Sequence, residues 1–471
     1  MDFEVVVIGG GPGGYVAAIR AAQLGFKTAV IEKEKMGGVC LNWGCIPTKA
    51  LLQSAHLLEE MKKAQEFGIS AQGIQVEFGK VIERSRKVAD QMAKGVDFLM
   101  KKNKIEVVFG TASFIEENKV LVSSGDSKKE ITADRFIIAT GARSRPLPGL
   151  AFDQNLVLSS REAMVEKSAP KKIGVIGAGA IGVEFADFYA SMGSEVVIIE
   201  YLDHLLPNED EEISQVLEKS FLKRKIEYKL GMSVYATEKK ENSVVLKIKN
   251  KNNVSETSEI EVDKVLVGIG LVPNTEDLNL EKFGVVLSKG FIDVNERYAT
   301  KCKSIYAIGD CTGNPLLAHV ASMEGIKAAE AIAIELKKSS ELKYHPINYD
   351  LIPGCTYCHP EVASFGLTEK KAIALGFDVK VGKFPFTASG RAQAIGDTNG
   401  MVKIVTNAKH GEILGAHIIG PSATEIIAEL VLASSNELSV HEIIQTIHAH
   451  PTISEGVLEA TSAVLGEAIN I

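Results

Sequence analysis

Cysteine is scarce in this chain, with six in 471 residues. That is too few for the disulfide framework of a secreted domain, so a close pair reads as catalytic. Nor is there an excess of basic charge. Lys and Arg number 52 against 60 Asp and Glu, a formal net charge of −8, which argues against nucleic acid or an anionic membrane as the main partner. No apolar run approaches the ~18 residues that suggest a membrane span. The opening Met1-Asp2-Phe3-Glu4-Val5 lacks a basic leader or Arg-rich transit segment and enters a strand at once, so a cytoplasmic protein is expected. No carboxylate cluster or Cys/His ligand set has metal-site spacing, so no metal is expected. What remains is an ordinary globular composition, 45% apolar and 24% charged, in a chain long enough for roughly three or four domains.

Against that sparse background, Cys40 and Cys45 stand five residues apart in Gly38-Val39-Cys40-Leu41-Asn42-Trp43-Gly44-Cys45-Ile46-Pro47-Thr48-Lys49. They can close a disulfide only if the chain between them curls back, and Gly44 supplies the freedom to do so. Lys49, Ala50, Leu51 and Leu52, then Leu57, Leu58 and Met61, have helical period up to about Gly68. The pair thus runs into a helix N-terminus, where the dipole and unpaired N–H groups are expected to lower a thiol pKa and favour disulfide exchange.

One device occurs twice. Val5-Val6-Val7-Ile8 leads into Gly9, Gly11 and Gly14, an Ala-rich helix to Gly25, and a strand ending in Glu32. Ile173-Gly174-Val175-Ile176 leads into Gly177, Gly179 and Gly182, a helix to Gly193, and a strand ending in Glu200. In both, the acid lies 21 residues past the second glycine. The first glycine permits the turn, the second lets backbone approach a pyrophosphate, the third lets helix pack on strand, and the acid accepts from a ribose hydroxyl. Two copies with matching context imply two bound dinucleotides. Glu200 would repel a 2′-phosphate, and Tyr201-Leu202-Asp203-His204 offers no Arg or Lys to receive one, so NAD is expected over NADP.

Arg135 to Ala142 reads as a buried strand with a small-residue turn at Thr140 and Gly141. Ser304 to Asp310 reads as another strand ending in an acid, and both read as returning to the first site around an inserted nucleotide domain. Lys239 to Glu261, rich in charge and Asn/Ser, reads as surface hairpins. Beyond about Asn348 the pattern changes to strands and helices without a fingerprint, which suits an interface or substrate domain.

Together the two fingerprints, the cysteine motif, Ala139-Thr140-Gly141, Ile308-Gly309-Asp310, Leu316-Leu317-Ala318-His319 and His448-Ala449-His450-Pro451-Thr452-Ile453-Ser454-Glu455 resemble the flavin-dependent disulfide oxidoreductases over essentially the whole chain. Within that family the chain closely resembles the members that oxidise dihydrolipoyl groups with NAD. The resemblance implies an α/β fold with two Rossmann-like dinucleotide-binding domains and a C-terminal α+β dimerisation domain. FAD-binding segments would span 1–146 and 276–347, an NAD-binding domain 147–275 and a dimerisation domain 348–471. FAD would lie at Gly9, Gly11, Gly14 and Glu32, with Asp310 on the ribityl chain and Leu316, Leu317, Ala318 and His319 along the flavin. Thr140 and Gly141 would also be in that site. Lys49 would sit near the flavin N5, paired with Glu184. NAD would take Gly177, Gly179, Gly182, Glu184, Glu200 and Gly270. Cys40 would exchange with substrate, Cys45 would face the flavin, and His450, oriented by Glu455, would serve as acid–base from the other subunit of a homodimer. Implied partners are the lipoyl-bearing acyltransferase core of a 2-oxoacid dehydrogenase complex or a lipoylated glycine-cleavage carrier, since no lipoyl domain is present here.

Some features admit simpler readings. Thr452-Ile453-Ser454-Glu455 is also a capping box, so Glu455 could be closing a helix start. The family pattern fits a cis bond before Pro451. Cys355-Thr356-Tyr357-Cys358-His359 matches a haem-attachment or thioredoxin-like spacing, but it continues an interface-domain pattern and is set aside. Cys302 and Cys311 read as packing residues. Three positions depart from the common family pattern: bulky Trp43 between the cysteines, the lack of an Arg near Gly270, and Cys311 beside Asp310. A competing function keeps the fold and reverses the flow as an NADPH-driven disulfide or mercuric reductase. Glu200 opposes it, as does a C-terminal segment without a cysteine pair. A nucleotide-binding scaffold or redox sensor is the non-enzymatic alternative.

Overall fold

The structure, a computed structural model, describes residues 1–313, 315–338 and 341–471. The chain divides into two compact units. One comprises Met1–Ala50, Lys80–Arg145 and Gly270–Ile347, the other Leu51–Gly79, Pro146–Ile269 and Asn348–Ile471.

In the first unit, strands Glu106–Phe109, Thr28–Glu32, Phe3–Ile8 and Ser127–Ile138 lie side by side, and Ile305–Ala307 pairs in parallel with the last of them. The early strands read as near-continuous Val/Ile runs because both faces are covered. Val6, Ile8, Ile31, Phe136 and Ile138 point into one core, and Val5, Val7, Val30 and Ile137 into another. Across the second core lie helices Pro12–Gln23 and Ala318–Glu335, meeting through Ala17, Ala18, Ala21, Ala328 and Ala329. The N-terminal part of Ser127–Ile138 bends away into an antiparallel meander with Lys119–Ser124 and Thr111–Glu116. Ser304 to Asp310 therefore does return to the first glycine loop's sheet.

The second unit holds two sheets. A parallel one runs Ile226–Lys229, Glu195–Ile199, Lys172–Ile176, Lys264–Val267, Val157–Leu158. The stretch expected to form surface hairpins does form them, as strands Met232–Lys239, Val244–Asn250 and Thr257–Val262. They are not merely superficial, however. Val244, Leu246 and Ile248 are fully buried in the core of the parallel sheet. Alternation turns Lys247 and Lys249 outward, so the charge that dominates the composition occupies only one face. The C-terminal sheet is antiparallel, Gly354–Thr356, Val362–Gly366, Ile413–Ile419, Met401–Asn407, Val379–Pro385. Helices Ala423–Ser435, Val440–Gln445 and Glu455–Leu465 share its core. Buried Lys403 on this sheet pairs with Asp210, Glu212 and Glu369 at 2.9, 2.6 and 2.8 Å.

Candidate active site

The first strand ends at Gly9, whose φ of +109° is a conformation L side chains rarely adopt. A Cβ there would lie 2.2 Å from the Ala139 carbonyl oxygen, and one at Gly14 would lie 1.8 Å from the Gly9 oxygen. Gly11 caps the following helix with no side-chain acceptor for its first N–H groups. Glu32 holds the loop from the side, accepting from Gly10 N at 2.7 Å and from Glu34 N at 2.7 Å. A carboxylate has acceptor capacity beyond two bonds, so a ribose hydroxyl can still be received. An uncapped helix start beside a cradle without side chains fits a dinucleotide pyrophosphate.

The thiols are seated on that loop. Gly37 N donates to Gly10 O at 2.8 Å, and a Cβ on Gly38 would come within 2.6 Å of the Gly11 Cα. This close approach docks the short helix Gly38–Trp43, and the Asn42 amide locks it by donating to Met36 O and Gly38 O, both at 3.0 Å. A Cβ on Gly44 would stand 3.1 Å from the Val39 carbonyl oxygen, a tight contact at the point where the chain doubles back. Cys45 is then the first residue of helix Cys45–Lys63, which passes into a 3-10 turn and stops at Gly68.

The two sulfurs are not joined in a disulfide, and the thiols are unequal. The hydrogen bond with Cys45, and then burial, push the Cys40 thiol up, with Lys49 acting in the opposite sense. The helix N-terminus expected to favour a thiolate lies at Cys45, whereas Cys40 lies inside the preceding helix. Only Cys45 occupies the N-terminal position.

Asp310 lies in the turn Gly309–Cys311. Burial and then Glu324 push its carboxyl up to about 6, while Glu324 accepts from Gly309 N at 2.6 Å. Leu316 precedes Leu317, the N-cap of the helix that Ala318 and His319 begin. Thr140 and Gly141 are tied to the returning chain. The Thr140 hydroxyl donates to Asn274 O at 2.6 Å, and Asn274 N donates to Gly141 O at 2.9 Å. Gly270, φ +109°, accepts from Arg145 N at 3.0 Å in the same strand pair. Cys311 is fully buried, pushed up to about 12 by that burial, as befits a packing residue.

The second loop repeats the first. Gly177 has φ +99°, its Cβ would meet Gly268 O at 2.5 Å, and that of Gly182 would meet Gly177 O at 1.9 Å. Gly179 caps helix Ala180–Ser191 without a side chain. Glu200 accepts from Ala178 N at 2.6 Å and Leu202 N at 2.8 Å, so a second dinucleotide fits by the same test. Glu184 is buried and accepts from Tyr357 N at 2.9 Å.

At the C-terminal end, His450 Nδ1 lies 2.8 Å from Glu455 Oε1, and Thr452 N donates to Glu455 Oε2 at 2.8 Å. The two readings of Glu455 thus coexist on separate oxygens. The reciprocal half of a capping box is missing, because the helix is capped at Ser454 without a side-chain bond, and the Thr452 hydroxyl donates to Ala449 O. Burial raises the Glu455 carboxyl, but Thr452 and His450 outweigh it and hold it below the usual range. The His450 ring is 78% exposed, whereas that of His448 is 5% exposed and held by Glu429 at 2.7 Å. The His450–Pro451 bond is cis. In the Cys355–His359 stretch, Cys358 is fully buried and donates to Pro360 O at 3.4 Å.

Sequence reasoning missed one basic group at the second site. Lys251, fifty residues beyond Tyr201, stands 5.5 Å from that ring and is paired with Asp203 at 2.9 Å. No local signal joins them, since the meander alone brings them together. The Asp203 carboxylate sets a negative charge beside the Lys251 ammonium.

Residues 3–325 match the family model described as pyridine nucleotide-disulphide oxidoreductase, and residues 352–461 match the dimerisation domain of that family. The chain is 43% identical to a dihydrolipoyl dehydrogenase of Zymomonas mobilis, covering 99% of both chains. It is 44% identical to one of Bacillus subtilis, covering 100% of this chain and 99% of that one. Its fold matches a crystal structure of LpdA from Mycobacterium tuberculosis with a TM-score of 0.89 at 28% identity, covering 97% of this chain and 99% of that one. A similar match is the HOCl-induced flavoprotein disulfide reductase RclA from Escherichia coli, TM-score 0.84 at 26% identity, covering 98% of this chain and 99% of that one. With its two glycine loops, its thiol pair and its dimerisation domain, this chain belongs to the pyridine nucleotide-disulphide oxidoreductase family.

Proposed function

We propose that this chain oxidises dihydrolipoyl groups carried on another protein to lipoyl groups, using FAD and NAD. The observation that carries the reading is the seating of Cys40 and Cys45 on the first glycine loop, in a chain with a second such loop ending in Glu200. FAD is held by Gly9, Gly11, Gly14 and Glu32, with Lys49, Thr140, Gly141, Asp310 and Leu316 to His319. NAD is held by Gly177, Gly179, Gly182, Glu184, Glu200 and Gly270. On this reading 1–146 and 276–347 form the flavin domain, 147–275 the nicotinamide domain and 348–471 the dimer interface.

When bound, FAD accepts the electron pair of the thiols and passes it on to NAD. The remaining chemistry belongs to side chains. With His450 Nδ1 turned to Glu455, Nε2 keeps its lone pair and takes the proton of a substrate thiol, while the carboxylate stabilises the imidazolium. The substrate thiolate attacks the Cys40 sulfur of a Cys40–Cys45 disulfide, and Cys45 leaves as thiolate. The second substrate thiol then displaces Cys40, its proton passing to the leaving Cys40 sulfur, while His450 keeps the first proton as imidazolium beside Glu455. The lipoyl disulfide forms, the substrate loses two electrons, and the protein pair gains them. In a homodimer, His450 of one protomer serves the thiols of the other. The partner is a lipoyl-bearing acyltransferase core or a lipoylated glycine-cleavage carrier, in the cytoplasm. Among the described residues no helix is long and apolar enough to cross a membrane.

The test is NADH formation from dihydrolipoamide by the purified protein, with NADP in parallel. Robust turnover with NAD and little with NADP is expected. No turnover by a flavin-loaded dimer would reject the substrate, and preference for NADP would reject the role of Glu200.

A further inference from the structure

Three consecutive residues of the long helix Phe78–Lys102 grip the redox segment on both sides of Cys45. The Arg84 guanidinium donates to Ala50 O at 2.9 Å, the buried Ser85 hydroxyl to Pro47 O at 3.0 Å, and the Arg86 guanidinium to Asn42 O at 2.6 Å. Two of these hold the helix that Cys45 begins. Arg86 acts on the helix that carries Cys40, taking one of the last-turn carbonyls that a helix end leaves without an internal partner. Its guanidinium also lies 5.0 Å from the centroid of the Trp43 ring, within cation–π range. Trp43 is the only tryptophan of the chain and stands at one of the three positions that depart from the common family pattern.

We propose that Arg86 is a positioning residue of the Cys40–Cys45 pair, clamping the Cys40 helix through Trp43 and the Asn42 carbonyl so that the two sulfurs stay in hydrogen-bond register. The proposal rests on the oxidoreductase reading above. Asn42 transmits the clamp, because its amide is bonded at 3.0 Å to both Met36 O and Gly38 O. Gly38 in turn is pressed against the first glycine loop. The bulky side chain between the two redox cysteines becomes the surface over which an arginine lies. Lysine cannot reproduce that grip, since it lacks the planar fork that bonds a carbonyl while lying on an aromatic face.

The lone tryptophan makes the test direct. The reduced holoenzyme and its R86K and R86M variants are compared by Trp43 fluorescence anisotropy and by the pH profile of iodoacetamide alkylation at Cys40 and Cys45, read by peptide mass spectrometry. Two thiols held in hydrogen-bond register are expected to titrate in two separated steps in the unmodified chain. R86M is expected to lower the anisotropy and draw the two alkylation midpoints together by about one pH unit. Its kcat should fall on the order of tenfold, with the KM for NAD unchanged. R86K should fall between, and it decides the matter by the same two readouts should R86M not fold. Unchanged anisotropy and unchanged midpoint separation would overturn the proposal. If the unmodified enzyme does not oxidise dihydrolipoamide while those differences persist, the substrate reading falls and the clamp stands. Full kcat in a variant with loosened Trp43 would remove the clamp and leave the substrate reading intact.

Discussion

The two glycine loops are nearly superposable in their local chemistry and quite different in what stands behind them. Each first glycine has a positive φ, each third glycine presses a backbone oxygen, and each acid accepts two N–H groups, one inside its own loop. Behind the first loop, the helix is backed by small residues. A Cβ on Gly325 would sit 2.5 Å from Gly13 O, so two helices meet almost backbone to backbone. Behind the second, the helix carries two buried carboxylates. Glu184 accepts from Tyr357 N, while Asp187 accepts from His359 N at 2.8 Å and pairs with Arg224 at 2.5 Å. The three glycines and the acid of the dinucleotide cradle are the same in both loops, whereas the backing of the helix is solved once by close packing and once by buried charge.

The contrast can be broken most forcefully on the polar side. Asp187→Ala leaves Arg224 without its counter-ion and the His359 N–H without its acceptor, and should destabilise the second unit by about 3–5 kcal/mol. Urea unfolding followed by hydrogen exchange of second-unit peptides would check it, and a change under 1 kcal/mol would mean the carboxylate is not needed there. On the apolar side, Gly325→Ala forces two backbones apart and should cost about 1–3 kcal/mol, read as loss of bound flavin absorbance with the second unit's exchange unchanged. Retention of flavin at full stoichiometry would show that the helix contact is more compliant than its distances imply.

A smaller effect sharpens the contrast through pH. In the first unit, Asp310 is raised from 3.8 to about 6, so its contribution to stability is present below about pH 4 and lost as pH rises through 6. In the second unit, burial lowers His359 and His417. Their contribution is complete above the ordinary histidine value of about 6.5 and is lost as pH falls below it. Between about pH 4 and 6.5 the two units should therefore change protection in opposite directions, as measured by hydrogen exchange corrected for intrinsic rate. Asp310→Asn should flatten the first unit's response alone, and parallel slopes in both units would contradict the assignment.

The loops were legible because every constraint on them is short-range. A Val/Ile run, glycines at fixed offsets and an acid 21 residues on are read within some thirty residues, and the same is true of the Cys40–Cys45 spacing. The helix after Cys45 and its stop at Gly68 followed from period and a C-terminal glycine. Harder positions depended on distant chain. The buried face of Val244 to Ile248 was masked by its charged neighbours, because composition averages over two faces that alternation separates. Glu455 could be parted between cap and histidine only by seeing which oxygen meets which donor. His448 and His450, two residues apart, could be ranked by likeness alone until burial distinguished them.

What this sequence determined by itself is the pair of cradles, the thiol pair beside the first, and the choice of an acid at both strand ends, since each arises from backbone sterics and neighbours close along the chain. The tertiary structure alone decided which cations and carboxylates meet. Lys251 reaches Asp203, Arg86 reaches Trp43, Lys403 reaches Asp210, and Asp187 reaches Arg224. Long charged side chains carry no periodicity that names a partner, and their pairing is set by which strands and helices the packed core brings within a few ångströms.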